Sequence, residues 1–169
     1  MAVLAARRVL VAYDFSPWAD EAGRAAARDL LCTAKGGTII LCHLFELMPL
    51  PEASIELPRS MDVLDLEQTV AFEVTTRLER AADGLRKEIQ QMRRDGQDTA
   101  VIEVEVVVRK DTPAEGILAM AREQDTTRIV LGTHGRHGIA HFFLGSIAER
   151  VARAARVPVL VVKKATAGR

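Results

Sequence analysis

The sequence predicts an α/β fold in which a five-stranded parallel sheet carries helices on both faces. Five short apolar runs alternate with helical patterns from one end of the chain to the other. Parallel strands need crossover connections, and the helical segments supply them. With 169 residues the chain can bury a substantial core, and we expect a single domain over residues 1–169.

The first strand and helix begin this alternation. Val9 to Tyr13 is an apolar run with β-branched residues, and Asp14 closes it. Pro17 suits the first turn of a helix, and Ser16 is expected to cap that helix. The pair Gly36-Gly37 is expected to end it.

The remaining pattern predicts four more strands and three more helices. The strands are predicted at 38–45, 101–108, 128–132 and 157–162. Two helices are predicted at 74–92 and 112–121. The last helix follows Gly145, and its predicted apolar face comprises Leu144, Ile147, Ala148, Val151, Ala152 and Ala155.

Residues 46–68 interrupt the alternation. They hold three prolines and six acidic residues against one basic residue, Arg59. The stretch is too long for an ordinary connection. It is therefore either a variable surface insertion or a lid over a site.

Composition narrows the classes of partner. Lys plus Arg and Asp plus Glu each total 23, so net charge points to neither a nucleic-acid nor a membrane partner. No signal peptide or transmembrane run is expected, which favours a cytoplasmic protein. Cys32 and Cys42 lie in apolar surroundings, and we expect buried thiols in a reducing compartment.

A glycine-rich loop between Gly132 and Ser146 is the main indication of function. It reads Gly-Thr-His-Gly-Arg-His-Gly-Ile-Ala-His-Phe-Phe-Leu-Gly-Ser, between a predicted strand and a predicted helix. Residues without Cβ let main-chain N–H groups approach an anion, and a helix start adds unpaired donors. No Asp or Glu occurs from Thr126 to Ala148. The loop therefore predicts a phosphate site.

Three residues after the first strand form the other half of the predicted site. Open α/β sheets bind ligands at the carboxyl ends of strands, where the winding reverses. In the order 3-2-1-4-5, Asp14, Phe15 and Ser16 would flank that point together with the glycine loop. Asp14 would accept hydrogen bonds from a ribose or bind a metal that bridges phosphates. The alternative is that Asp14 only caps the helix with Ser16.

The sequence lacks the two commonest nucleotide-binding motifs. No Gly-Lys-Ser or Gly-Lys-Thr occurs, and no Gly-x-Gly-x-x-Gly follows the first strand. P-loop hydrolases and Rossmann dehydrogenases are therefore disfavoured. His134, His137 and His141 could form a zinc cluster, but the glycines among them argue against a rigid helical ligand face. His43 is expected to be a core histidine.

The glycine loop also has a distinctive spacing. Gly-x-x-Gly, nine residues and then Gly-Ser occurs at Gly132, Gly135, Gly145 and Ser146. This is the signature of the universal stress protein family, and the chain resembles that family's ATP-binding subgroup. Further segments that resemble the family are Val-Ala-Tyr-Asp-Phe-Ser at 11–16, Leu-Cys-His-Leu at 41–44, Pro-Ala-Glu-Gly-Ile at 113–117 and Val-Pro-Val-Leu-Val-Val at 157–162.

The resemblance implies a Rossmann-like fold of the adenine nucleotide alpha hydrolase type, with ATP and Mg²⁺ or Mn²⁺ as ligand. Asp14 would contact the ribose or a phosphate-bound metal, and the main chain around Leu44 would contact adenine. The expected binding residues are Asp14, Phe15, Ser16, Leu44, Leu131, Gly132, His134, Gly135, Arg136, Gly145, Ser146 and Ile147.

Two positions depart from the family pattern. Asp111 stands where the family often has glycine, which would alter that turn, although Asp tolerates a left-handed conformation. Tyr13 is bulkier than the residue usually found before the aspartate, which would narrow the pocket.

The expected function is a nucleotide-binding stress-response module with unknown protein partners. No catalytic residue is evident beside the phosphate loop, so at most slow hydrolysis or self-phosphorylation is expected. One alternative is an ATP-dependent phosphotransferase completed by the acidic 46–68 segment. Another is a nucleotide-free dimer scaffold. The apolar strand Val157–Val162 would lie at a sheet edge, and the resemblance implies a homodimer through it.

Overall fold

A computed structural model describes residues 7–33, 36–46, 63–96, 100–133 and 145–163 of the chain. These residues form five strands and four helices in strict alternation, as predicted. In chain order they are β1 (Arg7–Ala12), α1 (Pro17–Thr33), β2 (Gly36–Phe45), α2 (Val63–Gly96), β3 (Val101–Lys110), α3 (Pro113–Glu123), β4 (Arg128–Gly132), α4 (Ser146–Ala154) and β5 (Val159–Val162).

The five strands form one parallel sheet in the order β3-β2-β1-β4-β5, which confirms the predicted topology. The register places Arg7 opposite Gly37 and Ala12 opposite Cys42. On the other side of β1, Val11 lies opposite Val130. The winding direction therefore reverses between β1 and β4.

The two faces of the sheet are covered by different helices, because successive side chains of a strand point to opposite faces. Val9 and Val11 pack with α1 and α2 in one apolar layer. Leu10 and Ile40 pack with α3 and α4 in the other layer. This confirms the prediction of helices on both faces.

The prediction that Gly36 and Gly37 end the first helix is wrong. The helix ends at Thr33, and the two glycines open β2 with φ values of 122° and 151°. A Cβ on Gly37 would lie 2.3 Å from the carbonyl oxygen of Arg7, and one on Gly36 would lie 2.4 Å from that of Val101. The glycines are required because neighbouring strands approach too closely for any side chain.

Helix α2 is longer than the 74–92 segment that its periodicity predicted. It has 34 residues and begins at Val63, so residues 63–68, assigned above to the insertion, form its first turns. Residues 47–62 lie outside the described part of the chain. Among the described helices, none combines the length and the apolar character that crossing a bilayer requires.

Three residues that were expected to be buried are exposed: Ile147, Ala152 and Cys32. On α4, only Ala148 and Val151 are buried, because this nine-residue helix presents a narrow stripe to the core. Cys42 is buried as expected, and burial raises the pKa of its thiol to about 12. Cys32 is exposed, since it lies in the last turn of α1, beyond the buried Leu30.

We predict opposite effects of alanine at two glycines. Gly37→Ala should lower the free energy of unfolding by more than about 2 kcal/mol, because its Cβ collides with backbone and the residue requires a positive φ. Gly84→Ala should raise it by about 0.5–1 kcal/mol, since Gly84 lies within α2 and its Cβ would meet nothing within 4 Å. Urea denaturation measures both changes. Equal effects would contradict the role assigned to the Gly37 backbone.

Candidate functional site

The candidate site lies where β1 and β4 separate at their carboxyl ends. Val11 and Val130 are the last residues paired between these strands. Beyond them, the Tyr13 N–H donates to the Cys42 carbonyl of β2 at 2.8 Å, and the Thr133 N–H donates to the Val162 carbonyl of β5 at 2.9 Å. Each strand end thus turns to its outer neighbour, which opens a crevice between them, as expected at a reversal of winding.

A tight turn after β1 forms one wall of this crevice. The Ser16 N–H donates to Asp14 Oδ1 at 3.0 Å, and Ser16 Oγ accepts the Ala19 N–H at 3.2 Å. Ser16 is therefore the N-cap of α1, as predicted. The Asp14 carboxylate takes part in this helix entry, and the same hydrogen bond fixes its orientation at the crevice.

Phe15, at the centre of the turn, has a left-handed backbone with φ 64°. This conformation costs a residue with a side chain roughly 1–2 kcal/mol. Three contacts hold the ring: Tyr13 edge-to-face at 5.5 Å, His43 at 4.7 Å, and the Arg77 guanidinium over the ring at 4.2 Å. Aromatic and cation–π contacts of this kind contribute about 0.5–1.5 kcal/mol each, enough to offset the backbone strain.

The bulk of Tyr13 is accommodated in the layer beside α1 and α2, where it is a member of the buried apolar cluster. Its hydroxyl donates to the Asp20 carboxylate. Burial and this hydrogen bond both raise the pKa of Tyr13. His43 is a buried core histidine, as predicted, and its Nδ1 lies 2.6 Å from the Tyr13 carbonyl oxygen.

The opposite wall of the crevice begins at Gly132, which directly contacts α1. A Cβ at this position would lie 2.6 Å from the Cβ of Trp18 and 3.2 Å from its carbonyl carbon. The missing side chain lets the end of β4 approach the first turn of α1. Leu131, just before it, is buried in the layer beneath α3 and α4.

Both ends of the glycine loop meet at the start of α4. The Gly145 N–H donates to the Thr133 carbonyl at 2.8 Å, and the Gly145 carbonyl accepts the Glu149 N–H at 2.9 Å. Gly145 is the N-cap of α4 and provides no side-chain cap, while Ser146 and Ile147 in the first turn are exposed. The predicted donors at this helix start therefore lie at the base of the loop. Its interior, including His134, Gly135 and Arg136, lies outside the described residues, as do His137 and His141.

Leu44 presents main-chain groups to the β1 side of β2. Alternate residues of a parallel strand bond to alternate neighbours, and Cys42 already accepts the last N–H from β1. Leu44 lies two residues after Cys42, so its main-chain groups point to the same neighbouring strand, and it lies beyond the last β1–β2 pair. Its main chain therefore faces the space above the end of β1.

Helix α3 packs tightly behind Leu44. A Cβ on Gly116 would lie 2.6 Å from the Leu44 side chain. The Asp111 carboxylate accepts the N–H of Thr112 at 2.8 Å. Among the described residues other than glycine, only Phe15 and Asp125 have positive φ, so the turn at Asp111 does not need the left-handed conformation that the family comparison suggested.

Acidic groups near the start of α4 are compensated by arginines. Glu149 forms an ion pair with Arg153 at 2.8 Å, and Glu115 forms one with Arg150. A hydrogen bond from the Thr112 hydroxyl, with further help from Arg150, lowers the pKa of the Glu115 carboxyl. Within the described ranges, no three His, Cys, Asp or Glu side chains are grouped as a metal site.

Eight of the predicted binding residues within the described ranges lie at the carboxyl ends of β1, β2 and β4 or at the start of α4. They are Asp14, Phe15, Ser16, Leu44, Gly132, Gly145, Ser146 and Ile147. Leu131 supports them from the core. Sequence reasoning missed the neighbours Trp18, Arg77 and Gly116. The position of Trp18, two residues after the Ser16 cap, could have indicated that it lies beside the site. No local signal indicates that Arg77 reaches Phe15.

A separate cleft of about 200 Å³ lies at the opposite end of the sheet, between α3 and α4. The residues around it come from the last turns of these helices, the loops that follow them and the start of β4, and they include Arg122 and Arg156. Carbonyl groups at helix C-termini disfavour anions. The residues described around it include no glycine and no helix N-terminus, so despite its two arginines this cleft is a poorer candidate for a phosphate ligand than the crevice between β1 and β4.

The fold and site define the class: a doubly wound α/β protein whose glycine-rich segment follows β4 at the switch point of the sheet. The chain belongs to the universal stress protein family, whose model matches residues 5–163. It is similar to a universal stress protein of Thermus aquaticus, with 29% identity over 157 residues that cover 93% of this chain and 98% of the relative. A universal stress protein of Methanocaldococcus jannaschii is 24% identical over 166 residues, or 94% of this chain and 95% of that protein.

Solved structures show the same fold. The hypothetical protein MJ0577 aligns with a TM-score of 0.67 and 23% identity, over 95% of this chain and 98% of that chain. A universal stress protein in complex with cAMP gives a TM-score of 0.57 and 18% identity, over 94% and 98%. The universal stress protein from Archaeoglobus fulgidus in complex with dAMP aligns with a TM-score of 0.56 and 22% identity, over 94% of this chain and 98% of that chain.

We predict that Gly132→Ala will perturb α1 through Trp18. The new Cβ must displace Trp18 or the end of β4, so unfolding free energy should fall by about 1–3 kcal/mol. Trp18 is the single tryptophan of the chain, and its fluorescence maximum should shift. Gly84→Ala on α2 is the matched control, since its Cβ would meet nothing within 4 Å. An unchanged spectrum and stability in Gly132→Ala would mean that this close approach does not exist in solution.

Proposed function

We propose that this protein binds an adenine nucleotide, with ATP and Mg²⁺ or Mn²⁺ as the first candidate, in the crevice between β1 and β4. One observation carries the proposal. The ends of the glycine loop are joined by the Gly145–Thr133 hydrogen bond at the start of α4, next to the crevice that Asp14 borders. Main-chain donors and a fixed carboxylate are the groups that phosphates and a ribose or metal require.

Each part of the site has a proposed role. Gly132, Gly145, Ser146 and Ile147 would surround the ribose and phosphates together with Gly135, and His134 and Arg136 would lie beside them. Asp14 would contact the ribose or a phosphate-bound metal, with Phe15 and Ser16 shaping its turn. The main chain of Leu44 would recognise the edge of the adenine, and Leu131 would support the floor.

Two structural neighbours support the choice of an adenine nucleotide, since one is in complex with cAMP and the other with dAMP. We propose that nucleotide binding serves a regulatory role toward partner proteins in the cytoplasm. The Asp14 carboxylate is held by the Ser16 N–H, an arrangement suited to binding. An ATP-dependent phosphotransferase is the alternative that activity measurements must exclude.

The purified protein tests the nucleotide proposal directly. Denaturation followed by mass spectrometry should release an adenine nucleotide, and isothermal titration with ATP and Mg²⁺ should give saturable binding. Gly135→Val should abolish binding, while unfolding without nucleotide stays nearly unchanged. Gly84→Ala should bind ATP like the unmodified protein.

Three outcomes would contradict this proposal in different ways. Retained affinity in Gly135→Val would mean that the phosphates do not lie on the glycine loop. Rapid hydrolysis of labelled ATP over many turnovers would make the protein an enzyme and not a binding module. Absence of any adenine nucleotide binding would favour the nucleotide-free scaffold.

We also propose a homodimer through β5, which is an edge strand. The carbonyls of Pro158 and Val162 bond to β4, so the main chain of Val159 and Val161 faces outward by alternation. Leu160 adds an exposed apolar side chain. At the other edge, by contrast, the Arg86 guanidinium donates to the Val104 carbonyl of β3 at 2.6 Å.

Val161→Pro should yield monomers without unfolding the subunit. Proline removes the outward N–H that a partner strand would use, and edge strands tolerate it when that N–H faces away from the sheet. Val161→Ala keeps the N–H and should remain dimeric. Light scattering measures both. A dimeric Val161→Pro protein would place the interface elsewhere.

A further inference from the structure

Arg77 connects helix α2 to the turn that carries Asp14. Its guanidinium lies 4.2 Å from the centre of the Phe15 ring. Among the described hydrophobic side chains of α2, Leu78 is the first along the helix that belongs to the buried cluster beneath it. Arg77 directly precedes Leu78 and reaches the candidate site through its contact with Phe15.

The contact acts on a conformation that Phe15 does not adopt readily. A φ of 64° is unfavourable for a residue with a Cβ. Among the residues that contact the ring, Tyr13 directly follows β1 and His43 lies in β2. Arg77 is the member that comes from a separate helix, so its removal leaves the sheet intact.

The backbone of Phe15 in turn determines where the Asp14 carboxylate lies. Its left-handed turn brings the Ser16 N–H to Asp14 Oδ1 at 3.0 Å. If the ring is released, Phe15 can relax towards ordinary φ values, and the carboxylate is then less well ordered. A ligand that uses Asp14 must restore that order when it binds.

We propose that Arg77 is a positioning residue of the nucleotide site, which acts through Phe15 and does not touch the ligand. This inference rests on the proposed function, because it requires a nucleotide that contacts Asp14. It makes α2 part of the site: a change in α2 that lifts Arg77 from Phe15 lowers nucleotide affinity.

Arg77→Met tests the inference, since Met keeps a similar aliphatic length and removes the cation. ATP affinity should fall about fivefold, measured by titration calorimetry with Mg²⁺. Arg77→Lys keeps a cation and should recover part of the loss. Arg80→Met is the matched control, because Arg80 is exposed on the same helix, and it should bind ATP normally. Thermal unfolding without nucleotide should show that all three variants fold, with Arg77→Met slightly less stable than Arg80→Met because it has lost the contact with Phe15.

A double-mutant cycle with Phe15→Leu separates positioning from direct contact. In the Phe15→Leu background, Arg77→Met should cause no further loss of affinity. A further loss that shrinks as salt rises would show that Arg77 meets the phosphates directly and would overturn the inference. Normal affinity in Arg77→Met would also overturn it. If the unmodified protein binds no adenine nucleotide, the proposed function itself fails, and the two failures are thus distinguishable.

Discussion

The separation of β1 and β4 beyond Val11 and Val130 is the constraint on which the rest of the site depends. In the order β3-β2-β1-β4-β5, these are the neighbours between which the winding reverses. Their last hydrogen bonds go outward, from Tyr13 to β2 and from Thr133 to β5. The connections after them leave on opposite faces of the sheet. The crevice is therefore a product of topology, and side chains only refine it.

The chain accommodates this geometry in two ways. Where backbone meets backbone or the base of a side chain, it uses glycine, as at Gly132 against Trp18. Where the strain is only conformational, it uses a large ring, as at Phe15, whose contacts with Tyr13, His43 and Arg77 are comparable in free energy with the cost of its φ. The second solution makes the Asp14 turn depend on elements that are distant in sequence.

This difference explains what the sequence could and could not predict. Strand order, the Ser16 cap and the position of β4 follow from periodicity and local chemistry, and the structure confirms them. Considered locally, a glycine pair indicates the end of a helix. The structure shows instead that Gly36 and Gly37 are glycines because the backbones of Val101 and Arg7, on two other strands, leave no room for a Cβ. The reach of Arg77 to Phe15 likewise depends on how α2 crosses the sheet, which no local pattern encodes.

The edge strand β5 and the glycine loop are also joined through the backbone. The Val162 carbonyl accepts the Thr133 N–H, and the Thr133 carbonyl accepts the Gly145 N–H that closes the loop. Val161, whose main-chain groups face away from β4, directly precedes Val162. A partner strand that paired with Val161 would therefore order β5 one residue from the hydrogen bond that holds the base of the loop. In a dimer built on this edge, assembly and the phosphate-type loop would share the same short run of backbone hydrogen bonds, so ordering one would favour the other.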